Sequence, residues 1–307
     1  MPPVHSPLTS PRTKHCPWLL AAVTLLLTGC GGAGNAQQAT IPMPQTTTTP
    51  SASPSPSAAL TVPSDYTLAW SDEFSQDGLV DPARWSYDTG MNRQGWHNRE
   101  LQYYSAARAE NAQIRNGSLV ITARKEQLAS APDWGGQAYT SARLITQGKA
   151  AWTYGFFEIR ARLPCGKGTW PAIWLLGSSG GDWPAIGELD ILEQVGKDPT
   201  RVFSTVHTTS GSGSNGSGAA TQVADACTAF HTYQMHWTAQ EIRFGVDGKV
   251  HFTYANQGTG LQQWPFVAPQ FLILNLAIGG DLGGPVDDSN FPLQFEIDYV
   301  RVYQPAK

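Results

Sequence analysis

From Tyr66 to the C-terminus, apolar and polar residues alternate in short runs broken by turn residues. GSLVITARKE follows Asn116-Gly117, and EIRFGV is joined to KVHFTY by Asp247-Gly248, so each dipeptide predicts a β-hairpin. FFEIRARL, YQMHW and LQFEIDYVRVYQ carry the two-residue period of half-buried strands, while FLILNLAI is a near-continuous apolar run that suits a strand buried on both faces. No stretch sustains a helical period over three turns, and no repeat of fixed length recurs. Many strands with Gly-rich turns predict two packed antiparallel sheets, an all-β sandwich of the jelly-roll kind.

The pattern is different upstream. Arg12 and Lys14 precede the apolar stretch WLLAAVTLLL, which is shorter than the ~20 residues of a membrane span and suits a signal-peptide core. Leu27-Thr28-Gly29-Cys30 resembles a bacterial lipobox, which implies lipidation of Cys30; the alternative is an ordinary cleavage site with an incidental cysteine. Residues 1–29 are therefore expected to be a leader. Residues 30–64, rich in Ser, Thr and Pro, cannot bury enough apolar surface to offset chain entropy and are expected to form a disordered tether. Residues 65–307 form the expected single domain. The expected location is the outer membrane, cell surface or extracellular space, with membrane attachment only through the lipid.

Composition narrows the partner. The formal net charge is -4 over 307 residues and no basic stripe or cluster occurs, which excludes a nucleic-acid footprint. Of four cysteines, Cys16 leaves with the leader and Cys30 takes lipid, so Cys165 and Cys227 remain. Export permits a disulfide between them; two buried thiols are the alternative. Outside these, no His or Cys pair has metal-ligand spacing, so no catalytic metal or other cofactor is expected.

The chemistry concentrates in Ile186-Gly187-Glu188-Leu189-Asp190-Ile191-Leu192-Glu193. On a strand, Glu188 and Asp190 share a face, but Glu193 has the wrong parity to join them. A β-bulge near Ile191-Leu192 would absorb one residue and return Glu193 to that face. The two Glu Cα atoms would then lie ~13 Å apart, and inward-leaning carboxyls would approach within ~5 Å. Retaining glycosidases hold theirs ~5–5.5 Å apart. Charge on Glu188 and Asp190 would also raise the pKa of Glu193 and keep it a proton donor.

With its surroundings, this cluster resembles glycoside hydrolase family 16, in the laminarinase-like branch. The resemblance rests on WHNRELQYY, SARLITQGKAAWTYGFFEIRARLPCGKGTWPAIW, DWPAIGELDILEQVG, FSTVHT, FHTYQMHW, FLILNLAIGG and FEIDYVRVYQ, and covers essentially all of residues 65–307. It implies a concanavalin A-like jelly roll with a cleft along a concave sheet, acting as a monomer on β-glucan. It implies Glu188 as nucleophile, Asp190 as assisting acid and Glu193 as acid/base in an endo-acting, retaining cleavage of β-1,3-glucan. The five-residue spacing is that of the bulged laminarinases and agarases. GGDLGG departs from the pattern, with Leu282 where laminarinases often carry Trp.

Substrate contacts are expected from Trp170 and Trp183, whose indole faces can stack on sugar rings, and from Asn98, Glu100 and Arg143. Trp96 is expected as an outer platform and Trp174 as core. His207 is expected to hydrogen-bond the acid cluster. The resemblance also implies a structural calcium held by Glu73, Gly117 and Asp298, whose oxygen donors suit that ion.

Three rival readings remain open. Gly177-Ser178-Ser179-Gly180-Gly181 matches the G-x-S-x-G of serine hydrolases, which requires strand, sharp turn and helix. A non-catalytic sugar-binding sandwich shares the fold. The same chemistry could also act on mixed-linkage glucan or agar-type galactan.

Overall fold

A computed structural model describes residues 59–306. The expected leader, Cys30 and most of the tether lie outside the described residues. The ordered domain begins earlier than residue 65. Leu60 is buried, and its N–H donates to the Gly248 carbonyl at 2.7 Å.

Two sheets face each other. The seven-stranded sheet runs β12 (Ser217–Gln222), β11 (Asp198–His207), β10 (Glu188–Val195), β9 (Thr169–Gly177), β16 (Gln270–Ile278), β7 (Arg143–Ile145), β2 (Ser86–Tyr87). The ten-stranded sheet runs β15 (Lys249–Ala255), β14 (Glu241–Val246), β13 (His231–Trp237), β8 (Gly155–Arg162), β17 (Leu293–Pro305), β5 (Ser118–Lys125), β6 (Tyr139–Ser141), β3 (Gln102–Tyr104). In addition, β1 (Tyr66–Asp72) pairs with β17, and β4 (Ala112–Arg115) pairs with β5. Among the described residues the only α-helical turn is Gly280–Gly283.

Both predicted hairpins form. Arg115 pairs with Ser118 and Val246 with Lys249. Asn116, Gly117, Asp247 and Gly248 all have positive φ, as a two-residue turn matched to the strand twist requires.

The period of two sorts β16 by face. Leu272, Leu274, Leu276 and Ile278 enter the main core between the sheets, opposed by Phe157, Ile159, Met235, Phe244, Phe295 and Val300. Phe271, Ile273 and Ala277 fall instead in two small clusters with Trp174 and Trp170, and Asn275 stands among them in sequence. This outer face of the seven-stranded sheet carries the acids.

Candidate active site

On β10 the core takes Leu189, Ile191 and Leu192, two of which are adjacent. The register shows how. Asp190 pairs with Thr205 and Glu193 with Phe203 on β11, while on β9 Asp190 pairs with Trp174 and Leu192 with Ile173. Between Asp190 and Glu193, β10 therefore contributes one residue more than either neighbour. This is the bulge that the five-residue spacing predicts. It returns Glu193 to the face of Glu188 and Asp190 and leaves Ile191 without a cross-strand partner in either ladder.

Each outer acid receives an indole N–H. Trp170 lies diagonally across from Glu193, because Glu193 pairs with Ala172; its Nε1 donates to Glu193 Oε1 at 2.8 Å. Trp183, in the loop before β10 and 48% exposed, donates from Nε1 to Glu188 Oε2 at 2.9 Å. Its ring centroid lies 6.0 Å from that of His207. His207 is directly opposite Glu188 on β11, with Nε2 3.2 Å from Asp190 Oδ2 and 3.8 Å from Glu188 Oε1. Its Nδ1 is buried without a partner, so Nε2 is the nitrogen that meets the acids.

All three carboxyls are held above the ordinary carboxylate range. Burial is the largest cause for each. For Glu188, pushed up to about 8, repulsion from Asp190 comes next; for Glu193 it is again Asp190. Asp190, only 3% exposed, is raised by burial and shares a hydrogen bond with Glu188. The first of the three to ionise meets no repulsion from the others. His207, the Trp183 N–H and Arg143 all favour charge on Glu188, whereas Asp190 has only its hydrogen bond with Glu188 to favour charge. Charge on Glu188 in turn helps to hold the proton on Glu193. The arrangement thus separates one carboxylate from one carboxylic acid on a single strand face.

Beside the acids, Arg143 of β7 lies between two indoles, 4.7 Å from the Trp174 centroid and 5.2 Å from that of Trp96, and its Nε is 2.9 Å from Asp88 Oδ2. Trp174 is not core, contrary to expectation. It stands opposite Asp190, half-buried on the acid face, because residues 170, 172 and 174 share a parity. Trp96 is not an outer platform. It is 6% exposed, packs edge-on against Tyr104 and donates from Nε1 to Asn92 Oδ1 at 2.9 Å.

Glu100 is half-buried, which raises its pKa, and accepts from Gln102 Nε2 at 2.8 Å. Asn98 is exposed next to it, with Nδ2 3.5 Å from Glu100 Oε1. Asn275 escaped the sequence reading. It accepts from Trp174 Nε1 at 2.7 Å and donates to the Tyr104 hydroxyl at 3.0 Å. Its signal was a lone amide inside FLILNLAI.

Away from the acids, Cys165 and Cys227 form the expected disulfide, with Cα atoms 5.6 Å apart. The calcium set does not fit as arranged. The strand register brings Glu73, Asp298 and the Gly117 turn toward one stretch of β17, where Asp72 pairs with Val300 and Ile297 with Leu119. However, Arg301 grips both oxygens of Glu73, and Arg160 pairs with Asp298. A cation there would have to displace two guanidinium groups. Ser179 sits in the loop between β9 and β10 and is followed by a strand, not the helix a nucleophile elbow needs.

The profile described as Glycosyl hydrolases family 16 matches residues 99–301. The chain is 48% identical over 254 residues to a Beta-glucanase of Rhodothermus marinus, an alignment covering 78% of this chain and 85% of that protein. Among solved structures it is similar to SCLam, a non-specific endo-β-1,3(4)-glucanase. The identity is 49% and the TM-score 0.79, over 82% of this chain and 96% of that one. It is also similar to the laminarinase from Rhodothermus marinus, at 47% identity and TM-score 0.74 over 79% and 98%.

Proposed function

The chain belongs to glycosyl hydrolases family 16, and from that membership we propose that it is a retaining endo-β-1,3-glucanase in which Glu188 attacks and Glu193 serves as acid and then base. One observation carries the reading: the bulge in β10 turns Glu193 onto the face of Glu188 and Asp190, where each outer carboxyl is held by its own indole N–H.

In the first step a Glu188 oxygen bonds to the anomeric carbon as the glycosidic C–O bond breaks. The Glu193 proton passes to the departing oxygen, and the leaving sugar exits with its new hydroxyl. Esterification removes the charge on Glu188, so the repulsion acting on Glu193 falls and its carboxylate becomes the base. Water then adds to the anomeric carbon and gives its proton to Glu193, and Glu188 departs as carboxylate. Asp190, buried and proton-sharing with Glu188, steadies the charge on its partner in each half. Trp183 is exposed where Trp170 is buried, and it is suited to stack on a ring beside the anomeric carbon.

Proton NMR of the first laminarin products should show the β-anomer, and an α-anomer would refute double displacement. Loss of hydrolysis in Glu188→Ala with oligosaccharide binding retained would separate an enzyme from a sugar-binding sandwich. Acceptance of mixed-linkage glucan is a second reading, supported by SCLam acting non-specifically on β-1,3(4)-glucan. Product profiles on laminarin, lichenan and agarose decide between these substrates.

We further propose attachment to the cell surface through Cys30, as supported by the lipobox-like Leu27-Thr28-Gly29-Cys30. Cys30→Ser should release the protein from the membrane fraction.

A further inference from the structure

The bulge that creates the site also creates a problem. Ile191 has no cross-strand partner in either ladder, yet it lies in the main core, where an unpaired carbonyl is expensive. The structure supplies an acceptor's partner. Ser204 Oγ donates to the Ile191 carbonyl at 2.7 Å. Ser204 sits on β11 between Thr205 and Phe203, the residues that pair on either side of the bulge. Along the inward row of β11 it is the polar member, between Val202 and Val206, and it is 1% exposed.

The serine is itself held from the opposite sheet. His251 Nε2 lies 3.1 Å from Ser204 Oγ. Because the Ser204 proton is committed to Ile191, the imidazole must donate, which fixes the Nε2–H tautomer. His251 Nδ1 is correspondingly buried and without a partner. His251 reaches inward for a specific reason. Phe244 pairs with Phe252 and Gly245 with Val250, so His251 is the extra residue of a second bulge, on β15. In a regular ladder it would point away from its neighbour Phe252, which stacks on Phe244 within the sandwich. Two bulges, one in each sheet, are thus joined through a single hydroxyl.

We propose that Ser204, oriented by His251, is a positioning residue for Glu193: it pins the carbonyl released by the bulge and thereby fixes how far Glu193 stands from Glu188. This rests on the glucanase reading and assigns Ser204 and His251 no contact with substrate. Glu193 is two residues from the pinned carbonyl, and Ile191 has no paired residue in either ladder. Relaxing the bulge would misplace the acid while leaving Trp183, Arg143 and Asn275, which belong to other segments, where they are.

The test uses the full chain and three variants, Ser204→Ala, His251→Leu and the double variant, each checked for unchanged circular dichroism. Wild-type hydrolysis of laminarin is measured first. Ser204→Ala should lower kcat on laminarin by about 10- to 100-fold with KM nearly unchanged, as expected for a misplaced acid. On a dinitrophenyl β-laminarioside, whose leaving group needs no proton, kcat/KM should fall by less than about threefold. His251→Leu should show a smaller loss on laminarin that disappears in the Ser204→Ala background, because it acts only through the serine. Equal losses on both substrates, additive losses in the double variant, or full activity of Ser204→Ala would each overturn the proposal and leave the glucanase reading intact. A wild-type protein inert on every glucan would overturn both.

Discussion

Replacing Trp170 with Phe removes the N–H that faces Glu193 and keeps an aromatic ring against Val195, Ala277 and Phe203. The donor and acceptor are 2.8 Å apart and only 8% and 9% exposed, so solvent offers little compensation for the lost bond. A hydrogen bond to a neutral acceptor is worth about 1 kcal/mol and one to a charged acceptor about 1.5–3 kcal/mol. The indole therefore favours carboxylate over carboxylic acid by about 1 kcal/mol, a factor of roughly five in the ionisation equilibrium. Without it Glu193, already raised by burial and by Asp190, holds its proton to still higher pH. The proton-donating form is the one that begins the reaction, so the alkaline limb of kcat/KM on laminarin should move up by about 0.7 pH unit. Rates measured from pH 5 to 10 on wild type and Trp170→Phe would show it. A limb that stays put, or moves toward acid, would mean that the indole does not hold the ionising oxygen.

Three further outcomes are expected. Glu193→Gln should lower kcat/KM on laminarin by about 10²–10⁴-fold and leave it little changed on a dinitrophenyl laminarioside; equal losses would remove Glu193 from the acid role. Replacing both Cys165 and Cys227 with Ser opens a cross-link spanning 62 residues and should cost about 2–4 kcal/mol, seen as a lower Tm. Burial pushes His251 down to about 4, so the unfolded chain binds a proton below about 6.5 that the folded protein refuses. Its contribution is complete above pH 6.5 and is lost as the pH falls toward 4. His251→Gln should recover roughly 1–2 kcal/mol at pH 4 after allowance for partial exposure, and nothing at pH 8; denaturant melts at both values test this.

Local pattern was enough for the long strands, for both hairpins and for the bulge, but not for short strands such as β2, β3 and β6, because only the former carry enough residues to show a period. The spacing of Glu188, Asp190 and Glu193 had one solution compatible with a buried Ile191 and Leu192, and the register of β10 adopts it. Even the acid face of Trp174 was legible, since it shares parity with Trp170, although a Trp in a sandwich is usually taken for core.

What needed three dimensions was every decision made by residues distant in the chain. Trp96 is buried by Tyr104 and by an Arg143 arriving from β7. Glu73 and Asp298 are neutralised by Arg301 and Arg160, partners no spacing could nominate. Ser204 meets His251 across 47 positions, from opposite sheets. A strand's own period fixes which way its side chains point, and only the packing of one sheet on the other fixes what they find there.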